Sequence, residues 1–290
     1  MRDGFLNVLK PPGMTSHDVV GFVRRMLKLK KAGHAGTLDP GAAGVLPVAV
    51  GRATRLIEYL DEVDKSYRAE LRFGLATDSG DDLGQVIERA EAFAPPGHEA
   101  ILRAAQSLTG VITQVPPVYS AVKINGRRAC DLMRQNIPVE LPARQVTIYR
   151  LDILKEDADR LLIDVDCSKG TYIRSLCRDL GARLGIPAVM AFLLRRRVGD
   201  FRLEDACTPE ELAHRGEDAV EPPERYLAHL ERYDLPAARA DAFCHGLPHH
   251  DSGFSGRGRL AVFGPAGFLG VGRFDPETSS LVPEKVYRTE

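Results

Sequence analysis

Tryptophan is absent from this sequence of 290 residues, cysteine is scarce, and long apolar runs are missing. The five cysteines are odd in number and never spaced C-x-x-C, so neither a disulfide framework nor a structural zinc site is predicted. No apolar run approaches the roughly 18 residues that a bilayer-spanning helix needs. The N-terminus also lacks the apolar stretch and cleavage site of a signal peptide. We therefore expect a cytoplasmic protein that makes no contact with membranes.

A large net charge is absent as well, because 39 Lys and Arg residues face 40 Asp and Glu residues, and the formal net charge is −1. The overall balance therefore does not point to a polyanionic partner. The cations are nevertheless clustered in three basic runs, at residues 24–31, 123–134 and 195–197. Such clustering can produce a basic face on a neutral protein. Three separately solvated surfaces stay an open alternative.

Several catalytic motifs are also missing. The sequence contains no G-x-x-x-x-G-K-[ST] phosphate loop and no G-x-S-x-G nucleophile elbow. The H-x-E and P-C-x-x-C pair that holds zinc in nucleobase deaminases is absent too. His249 and His250 are adjacent but have no third ligand nearby in the sequence. We expect neither a metal site nor a cofactor.

The patterns that are present predict a mixture of helices and strands. Thr15 or Ser16 is a suitable N-cap for a helix whose apolar residues recur at i, i+3, i+4, i+7 and i+8. Strict alternation predicts half-buried strands at 66–75 and 161–167. Helical periodicity follows at 173–184. Elsewhere a helix is predicted at 101–108, and Asn125-Gly126 favours a type I′ hairpin turn.

The segment from Gly33 to Gly51 has a different composition. It is rich in glycine, proline and small residues and has no helical period. It is also poor in serine, asparagine and lysine, so it is not typical of a flexible linker. We interpret it as an ordered loop that lies close to another group.

The last part of the chain predicts a small separate unit. Residues 214–223 are acidic, contain Pro222-Pro223 and are typical of a connector. A short helix at 237–244 and three strand-like runs follow. This content is marginal for independent stability, so we expect a β-rich module docked on the main domain. The predicted division is a domain of residues 1–232 and a module of residues 233–290.

Residues 33–47 read GHAGTLDPGAAGVLP, which is one of five ordered motifs in the chain. These motifs resemble those of the TruB-type tRNA pseudouridine synthases, whose pattern at this motif is G-H-x-G-x-L-D-P-x-A-x-G-x-L-P. Accidental agreement of five motifs over roughly 200 residues is very improbable. One departure is Cys130, where the family often has an aromatic residue. The other four motifs are GFLNVLKPPGMTS at 4–16, DKSY at 64–67, VPPVYSAVK at 115–123, and CSKGTYIR at 167–174 with the LLR and GDF elements that follow it.

The resemblance implies both a fold and an activity. The fold is an α+β pseudouridine synthase fold, with a mixed, mainly antiparallel central sheet, flanking helices and a small PUA-like C-terminal module. The activity is isomerisation of the uridine at position 55 in the T loop of tRNA, after that base flips out. Two alternatives stay open: a guide-RNA-dependent synthase subunit, against which the short tail argues, and a tRNA-folding chaperone with secondary catalysis.

Asp39 and Arg174 are the central residues that the resemblance implies. Taken alone, Asp39 is a typical turn residue, because Asp-Pro-Gly favours turns; the family match makes it the nucleophile. Arg174 lies in the first turn of its predicted helix, where the helix dipole disfavours a cation. The resemblance makes it the partner that keeps Asp39 ionised by lowering its pKa. An exposed arginine pairing with Asp179 is the alternative.

The same resemblance implies the remaining site residues. Tyr67 would stack on the uracil and help to remove the C5 proton, and Leu193 would close the pocket below the base. Core packing explains both equally well. His34 would stack into the space that the flipped base leaves, or else fix its own loop by hydrogen bonds. Lys10, Tyr172 and Lys123 lie within the matching motifs and are expected to bind substrate.

The expected partner is the T stem-loop of tRNA, recognised chiefly by its shape. The three basic runs would contact its phosphates, which makes affinity depend on salt. An insertion near residues 117–145 would become ordered over the bound RNA. We expect a monomer that needs no protein partner.

Overall fold

The structure is a computed structural model that describes residues 3–135 and 137–287. Its first nine strands are β1 (Gly4–Lys10), β2 (Ala32–His34), β3 (Ala43–Val50), β4 (Lys65–Phe73), β5 (Leu75–Thr77), β6 (Val86–Arg89), β7 (Gly110–Gln114), β8 (Lys123–Ile124) and β9 (Arg127–Arg128). The later strands are β10 (Arg144–Glu156), β11 (Arg160–Cys167), β12 (Ala188–Val198), β13 (Phe201–Arg202), β14 (Glu231–Asp234), β15 (His249–His250), β16 (Gly258–Gly264), β17 (Gly267–Asp275) and β18 (Ser280–Val286).

Seven α-helices accompany these strands in the described ranges. None of them is both long and apolar enough to cross a membrane. The helices are α1 (Ser16–Met26), α2 (Ile57–Leu60), α3 (His98–Ser107), α4 (Ala129–Arg134), α5 (Ile173–Leu184), α6 (Pro209–Arg215) and α7 (Ala237–Cys244).

A central sheet organises the main domain in the order β1-β3-β12-β4-β11-β10-β7, with β2 paired to β3 and β13 to β12. The pairing of β3 with β12 is parallel and the other pairings of this sheet are antiparallel. The predicted α+β fold with a mixed, mainly antiparallel sheet is therefore confirmed.

Helix α1 begins as the sequence predicts. Thr15 is the N-cap, and its hydroxyl accepts a hydrogen bond from the Asp18 amide while the Asp18 carboxylate accepts from the Thr15 amide. This reciprocal arrangement satisfies two N–H groups that the helix cannot satisfy itself. Because Thr15 caps the helix, the Ser16 hydroxyl is available for hydrogen bonds with the backbone of Leu38.

Helix α5 packs on one face of the sheet through its apolar stripe. Ile173, Leu176, Cys177 and Leu180 are buried in one cluster with residues of β4, β11 and β12. The chain enters the helix directly after β11, so its N-terminus lies at the end of the sheet where Lys65 pairs with Cys167.

One part of the expectation was wrong. The segment from Gly33 to Gly51 is not a continuous loop, because Ala43–Val50 forms the interior strand β3, which is buried along its whole length. Only the stretch between β2 and β3 is a loop, and it carries Asp39. A strand buried on both faces shows no alternation, so its pattern does not distinguish it from other buried segments.

The C-terminal residues form a second sheet in the order β14-β16-β17-β18-β15. This sheet has its own apolar cluster around Phe243 and Phe274. Another cluster joins it to the main domain, where Phe268 and Val271 are buried together with Phe5. The module is therefore docked through a shared core.

The solvent-facing side of the central sheet carries a compact ion-pair group. Arg68 donates two hydrogen bonds of 2.8 Å to the buried Asp164 carboxylate, and Arg196 donates a third of 2.7 Å. The hydrogen bonds from Arg68 have the largest effect, and together with the Arg196 cation they hold the pKa of Asp164 below its usual range. The ionised Asp164 carboxylate therefore contributes its full stabilisation of the fold above the unfolded-state pKa of about 3.9. This contribution is lost as the pH falls through the folded-state pKa.

Asp164→Asn is expected to lower the free energy of unfolding by about 2 kcal/mol at neutral pH, because it leaves two arginines without their carboxylate. Urea unfolding of both proteins measures the difference. Asp152→Asn is the matched control, since that side chain is 44% exposed and pairs with Arg150 instead of with Arg68 or Arg196. A difference that persists undiminished at the lowest pH where both proteins fold would contradict the assignment.

Candidate active site

Two buried side chains fix the loop that carries Asp39. Ser16 accepts a hydrogen bond from the Leu38 amide at 2.9 Å and donates one to the Leu38 carbonyl at 3.0 Å. The Lys10 ammonium donates to the carbonyls of Pro40 at 3.2 Å and Ala42 at 2.6 Å. These contacts lie on both sides of Asp39, so the loop presents that residue in a defined position.

Lys10 is fully buried, and its ammonium also donates to the Pro11 carbonyl. Burial lowers the pKa of Lys10 to about 8, although the Asp39 carboxylate opposes this shift. The structure thus places Lys10 beneath the loop, where it holds backbone carbonyls, and not at a surface that faces substrate.

Arg195 supports the same loop from β12. Its Nε donates to the Val45 carbonyl at 2.8 Å and its Nη2 to the Gly36 carbonyl at 3.0 Å, and the residue is 1% exposed. Gly44 lies opposite Arg195 in the parallel pairing, with a φ of +116°. An added Cβ would lie 2.2 Å from the Arg195 carbonyl oxygen, so glycine permits this close approach.

The prediction that residues 195–197 form a surface for phosphates was therefore wrong. Arg195 is buried, Arg196 pairs with Asp164, and Arg197 donates to Ser66 at 3.0 Å. The side chains of the two other basic runs are mostly exposed, so those runs stay candidates for phosphate contacts.

Asp39 and Arg174 meet although 135 residues separate them. The Arg174 Nε lies 3.0 Å from Asp39 Oδ2, and its Nη2 donates to Oδ1 at 3.3 Å. The guanidinium also donates to the carbonyls of Ser79 and Tyr119, each at 2.8 Å. Arg174 is buried and does not pair with Asp179, whose carboxylate contacts Arg178.

Two opposing effects set the pKa of Asp39. Burial raises the pKa, the Arg174 guanidinium opposes that rise, and the nearby Asp81 carboxylate adds to it. Arg174 acts in the predicted direction, but burial outweighs it, so the net shift is upward. The arginine partner therefore favours the ionised form of Asp39 against the effect of burial.

Tyr67 and Leu193 lie on neighbouring strands beside this pair. Both are buried in the cluster that also contains Leu38, the residue before Asp39. Burial raises the pKa of Tyr67 to about 12, with the Arg195 cation opposing the shift. The hydroxyl is therefore protonated at neutral pH, which disfavours a role as a tyrosinate base and leaves the ring available for stacking.

His34 ends β2 and is partly buried beside the site. Its Nδ1 is buried and has no hydrogen-bond partner in the part of the chain that the structure describes. Burial lowers the pKa of His34, and the Arg195 cation adds to this effect. The ring is thus neutral at pH 7, and Nδ1 does not tie it to its own loop.

The other two predicted binding residues occupy different places. Tyr172 is the N-cap residue of α5, two positions before Arg174, and is partly exposed. Lys123 is exposed and begins the β8–β9 hairpin, whose turn residues Asn125 and Gly126 have φ of +49° and +82°. The predicted hairpin is confirmed.

Sequence reasoning missed four contributors to this site. Arg195 was assigned to a basic surface, although it lies two positions after the buried Leu193 on β12, on the same face, and could have been recognised from that spacing. Tyr119 lies within the matching motif at 115–123, but the role of its carbonyl was not predicted. The Ser79 carbonyl and the Asp81 carboxylate leave no sequence signal, because distant segments bring them to the site.

The arrangement combines a partly exposed carboxylate, a fixed guanidinium and an aromatic ring beside an apolar floor. This set suits covalent or electrostatic catalysis on a planar ring. Within residues 3–135 and 137–287, no three His, Cys, Asp or Glu side chains form a group that could hold a metal ion.

Comparison with known proteins gives consistent matches. The model of the TruB family pseudouridylate synthase N-terminal domain matches residues 24–173, and that of the tRNA pseudouridylate synthase B C-terminal domain matches residues 174–232. A tRNA pseudouridine synthase B from Moorella thermoacetica is 48% identical over 98% of this chain and 99% of its own. One from Symbiobacterium thermophilum is 50% identical over 84% of this chain and 82% of its own.

Solved structures agree with this result. The crystal structure of a Cbf5-Nop10-Gar1 complex matches with a TM-score of 0.76 and 29% identity, over 98% of this chain and 85% of that one. The structure of an H/ACA RNP bound to a substrate RNA containing 2′-deoxyuridine matches with a TM-score of 0.74 and 26% identity, over 99% and 85% of the two chains.

Proposed function

Because the chain belongs to the TruB family of pseudouridylate synthases, we propose that it isomerises uridine to pseudouridine in tRNA, at position 55 in the T loop. The observation that carries the proposal is the buried Arg174 guanidinium fixed on the Asp39 carboxylate at 3.0 Å. Residues 1–232 would perform the reaction, and residues 233–290 would form a small RNA-binding module.

The reaction breaks the N1–C1′ bond, turns the uracil, joins C5 to C1′ and transfers the C5 proton to solvent, while N1 gains a proton. No electrons are exchanged with an outside partner, so the chemistry needs no redox cofactor. Asp39 is the nucleophile or charge-stabilising group that carries the ribose or base between these steps. Arg174 maintains Asp39 as a carboxylate in a site where burial favours the acid.

The detached uracil must be held while it turns. Tyr67 offers a buried ring for stacking, and Leu193 lies two positions before Arg195 on the adjacent strand, where it forms an apolar floor. A protonated Tyr67 hydroxyl can donate a hydrogen bond to a uracil oxygen, which suits orientation of the base more than removal of the C5 proton.

His34→Ala is expected to lower kcat/KM about tenfold, because a neutral imidazole stacking into the space of the flipped base offsets part of the flipping cost. His34→Phe should retain most of the activity, since a phenyl ring also stacks. Single-turnover conversion of a tRNA transcript measures both variants. Equal losses in the two would contradict stacking and favour a role for the ring nitrogens.

Recognition of the T arm would use the exposed basic runs. The first, residues 24–31, begins in the last turn of α1 and continues beyond its C-terminus, and the second surrounds Lys123 in the proposed insertion at 117–145. Phosphate contacts of this kind make affinity salt-dependent and carry little sequence information. The enzyme would act as a monomer without a protein partner.

The test is tritium release from a tRNA transcript that carries 5-tritiated uridine, with the purified chain alone in buffer. About one equivalent per tRNA is expected for one target position. Release only after a guide RNA or partner protein is added would favour the guide-dependent alternative. A chaperone whose catalysis is secondary would keep its biological effect in the Asp39→Asn variant.

A further inference from the structure

The N-terminus of α5 lacks a side-chain cap. The helix has 12 residues, its N-cap is Tyr172, no side chain caps it, and its first turn contains no acidic residue. The first N–H groups of a helix lack acceptors within it, and the helix dipole adds partial positive charge there. Such an end favours an anion, but alone it does not define a site.

A cation lies over this helix end. The Arg144 guanidinium stacks on the Tyr172 ring at 4.7 Å from its centroid, and its Nη2 donates to the Gly170 carbonyl. Its Nε is buried and lacks a hydrogen-bond partner, and the guanidinium has no carboxylate partner, among the residues that the structure describes. Two contacts therefore fix a guanidinium whose charge is not compensated.

A buried amide completes the arrangement. Gln114 is 0% exposed, and its Oε1 accepts a hydrogen bond of 2.8 Å from the Tyr172 amide. Its Nε2 is buried without a partner in the described part of the chain. Buried polar groups are nearly always paired, so a free donor at a helix N-terminus points to an acceptor that binds there.

We propose that a phosphodiester group flanking the target nucleotide binds at this helix end, held by Arg144, the Gln114 amide and the first turn of α5. The inference rests on the proposed function, since it requires an RNA substrate. Arg174 belongs to the same first turn and contacts Asp39. A nucleotide whose ribose lies at Asp39 would therefore direct its phosphates toward this helix end. Arg144 also offsets repulsion between that phosphate and Asp39.

Equilibrium binding of a tRNA transcript, measured between about 50 and 200 mM salt, tests the site. Arg144→Gln should weaken binding about tenfold at low salt and reduce the slope of log K against log salt by about 0.7–0.9, the value for one phosphate contact. Arg144→Lys should restore the slope, because it restores the charge. The matched control is Arg150→Gln on the same strand, whose guanidinium pairs with Asp166 at 2.9 Å.

Gln114→Glu is a second, independent variant. It keeps an acceptor for the Tyr172 amide and replaces the free donor with a negative charge that the helix end tolerates. It should bind tRNA about tenfold more weakly while retaining the native circular dichroism spectrum.

An unchanged slope in Arg144→Gln, or equal affinity loss in the Gln and Lys variants without a slope change, would overturn the phosphate site and leave Arg144 a packing role. Wild-type affinity in Gln114→Glu would also contradict it. Failure of the wild-type protein to convert tRNA is a separate result, which contradicts the proposed function itself.

Discussion

Asp39→Asn is expected to reduce the rate of tritium release from 5-tritiated tRNA by about four orders of magnitude or more, the usual loss when a nucleophile is removed. Asparagine has the same shape but cannot carry the negative charge that attacks or stabilises the reacting carbon. The fold should persist, because Arg174 keeps its hydrogen bonds to the carbonyls of Ser79 and Tyr119. Single-turnover kinetics with enzyme in excess measures the chemical step.

The control is Asp157→Asn. That carboxylate is exposed, pairs with Lys155, and lies at the β10–β11 turn, at the opposite end of the sheet from the start of α5. Its rate should stay within about twofold of wild type, as is usual for surface substitutions. Binding of tRNA by Asp39→Asn should be retained. Residual turnover within tenfold of wild type would exclude Asp39 as the nucleophile.

Arg174→Gln is expected to lower kcat by about 10²–10³-fold and to move the acidic limb of the pH–rate profile upward. The pKa of Asp39 is already raised by burial, and the guanidinium is the first of the groups that oppose this rise. Without the cation, burial raises the pKa of Asp39 further, so a higher pH is needed to form the carboxylate. Activity should therefore recover in part as the pH is raised.

Arg174→Lys separates charge from geometry. Lysine keeps the positive charge, so the acidic limb should lie below that of the glutamine variant, but it cannot make the four hydrogen-bond and ion-pair contacts of the guanidinium. Arg178→Gln, one turn along the same helix and exposed, should behave like wild type. If the acidic limbs of the pH–rate profiles were identical in the Gln and Lys variants, the charge of Arg174 would not set the ionisation of Asp39.

Elements with a one-sided apolar pattern were predictable from the sequence. The alternation at 66–75 corresponds to β4 (Lys65–Phe73), and that at 161–167 to β11 (Arg160–Cys167). The helical stripe after Thr171 corresponds to α5, and the last helix was predicted at the residues where α7 lies. In each of these elements one face contacts the core and the other contacts solvent, so the period of the apolar residues can be recognised in the sequence.

The pattern failed where burial is complete. Strand β3 reads AGVLPVAV and is buried at every position, with Pro47 opposite Asn7 of β1. Glycine and proline inside a strand normally argue against it. Here Gly44 is needed for the close parallel contact with Arg195. The requirement comes from a partner strand that lies about 150 residues later, which local reasoning does not detect.

Some features of the candidate site were likewise predictable from the sequence, and others were not. Resemblance identified Asp39 and Arg174 as partners, and the structure brings them together. The net direction of the Asp39 pKa was not predicted, because burial is a property of the folded environment. The support from Lys10 and Arg195 was also not predicted, since both were assigned to contacts with RNA. Cations that hold backbone carbonyls beneath a loop resemble surface cations in a sequence.

The most direct measurement maps the product. A tRNA transcript is incubated with the purified protein alone, its pseudouridine is labelled with a carbodiimide, and primer extension locates the label. We expect one label per tRNA, at the T-loop uridine, that disappears with the Asp39→Asn protein and in a transcript with cytidine at that position. Labels at several unrelated positions, or an undiminished T-loop label with Asp39→Asn, would contradict it.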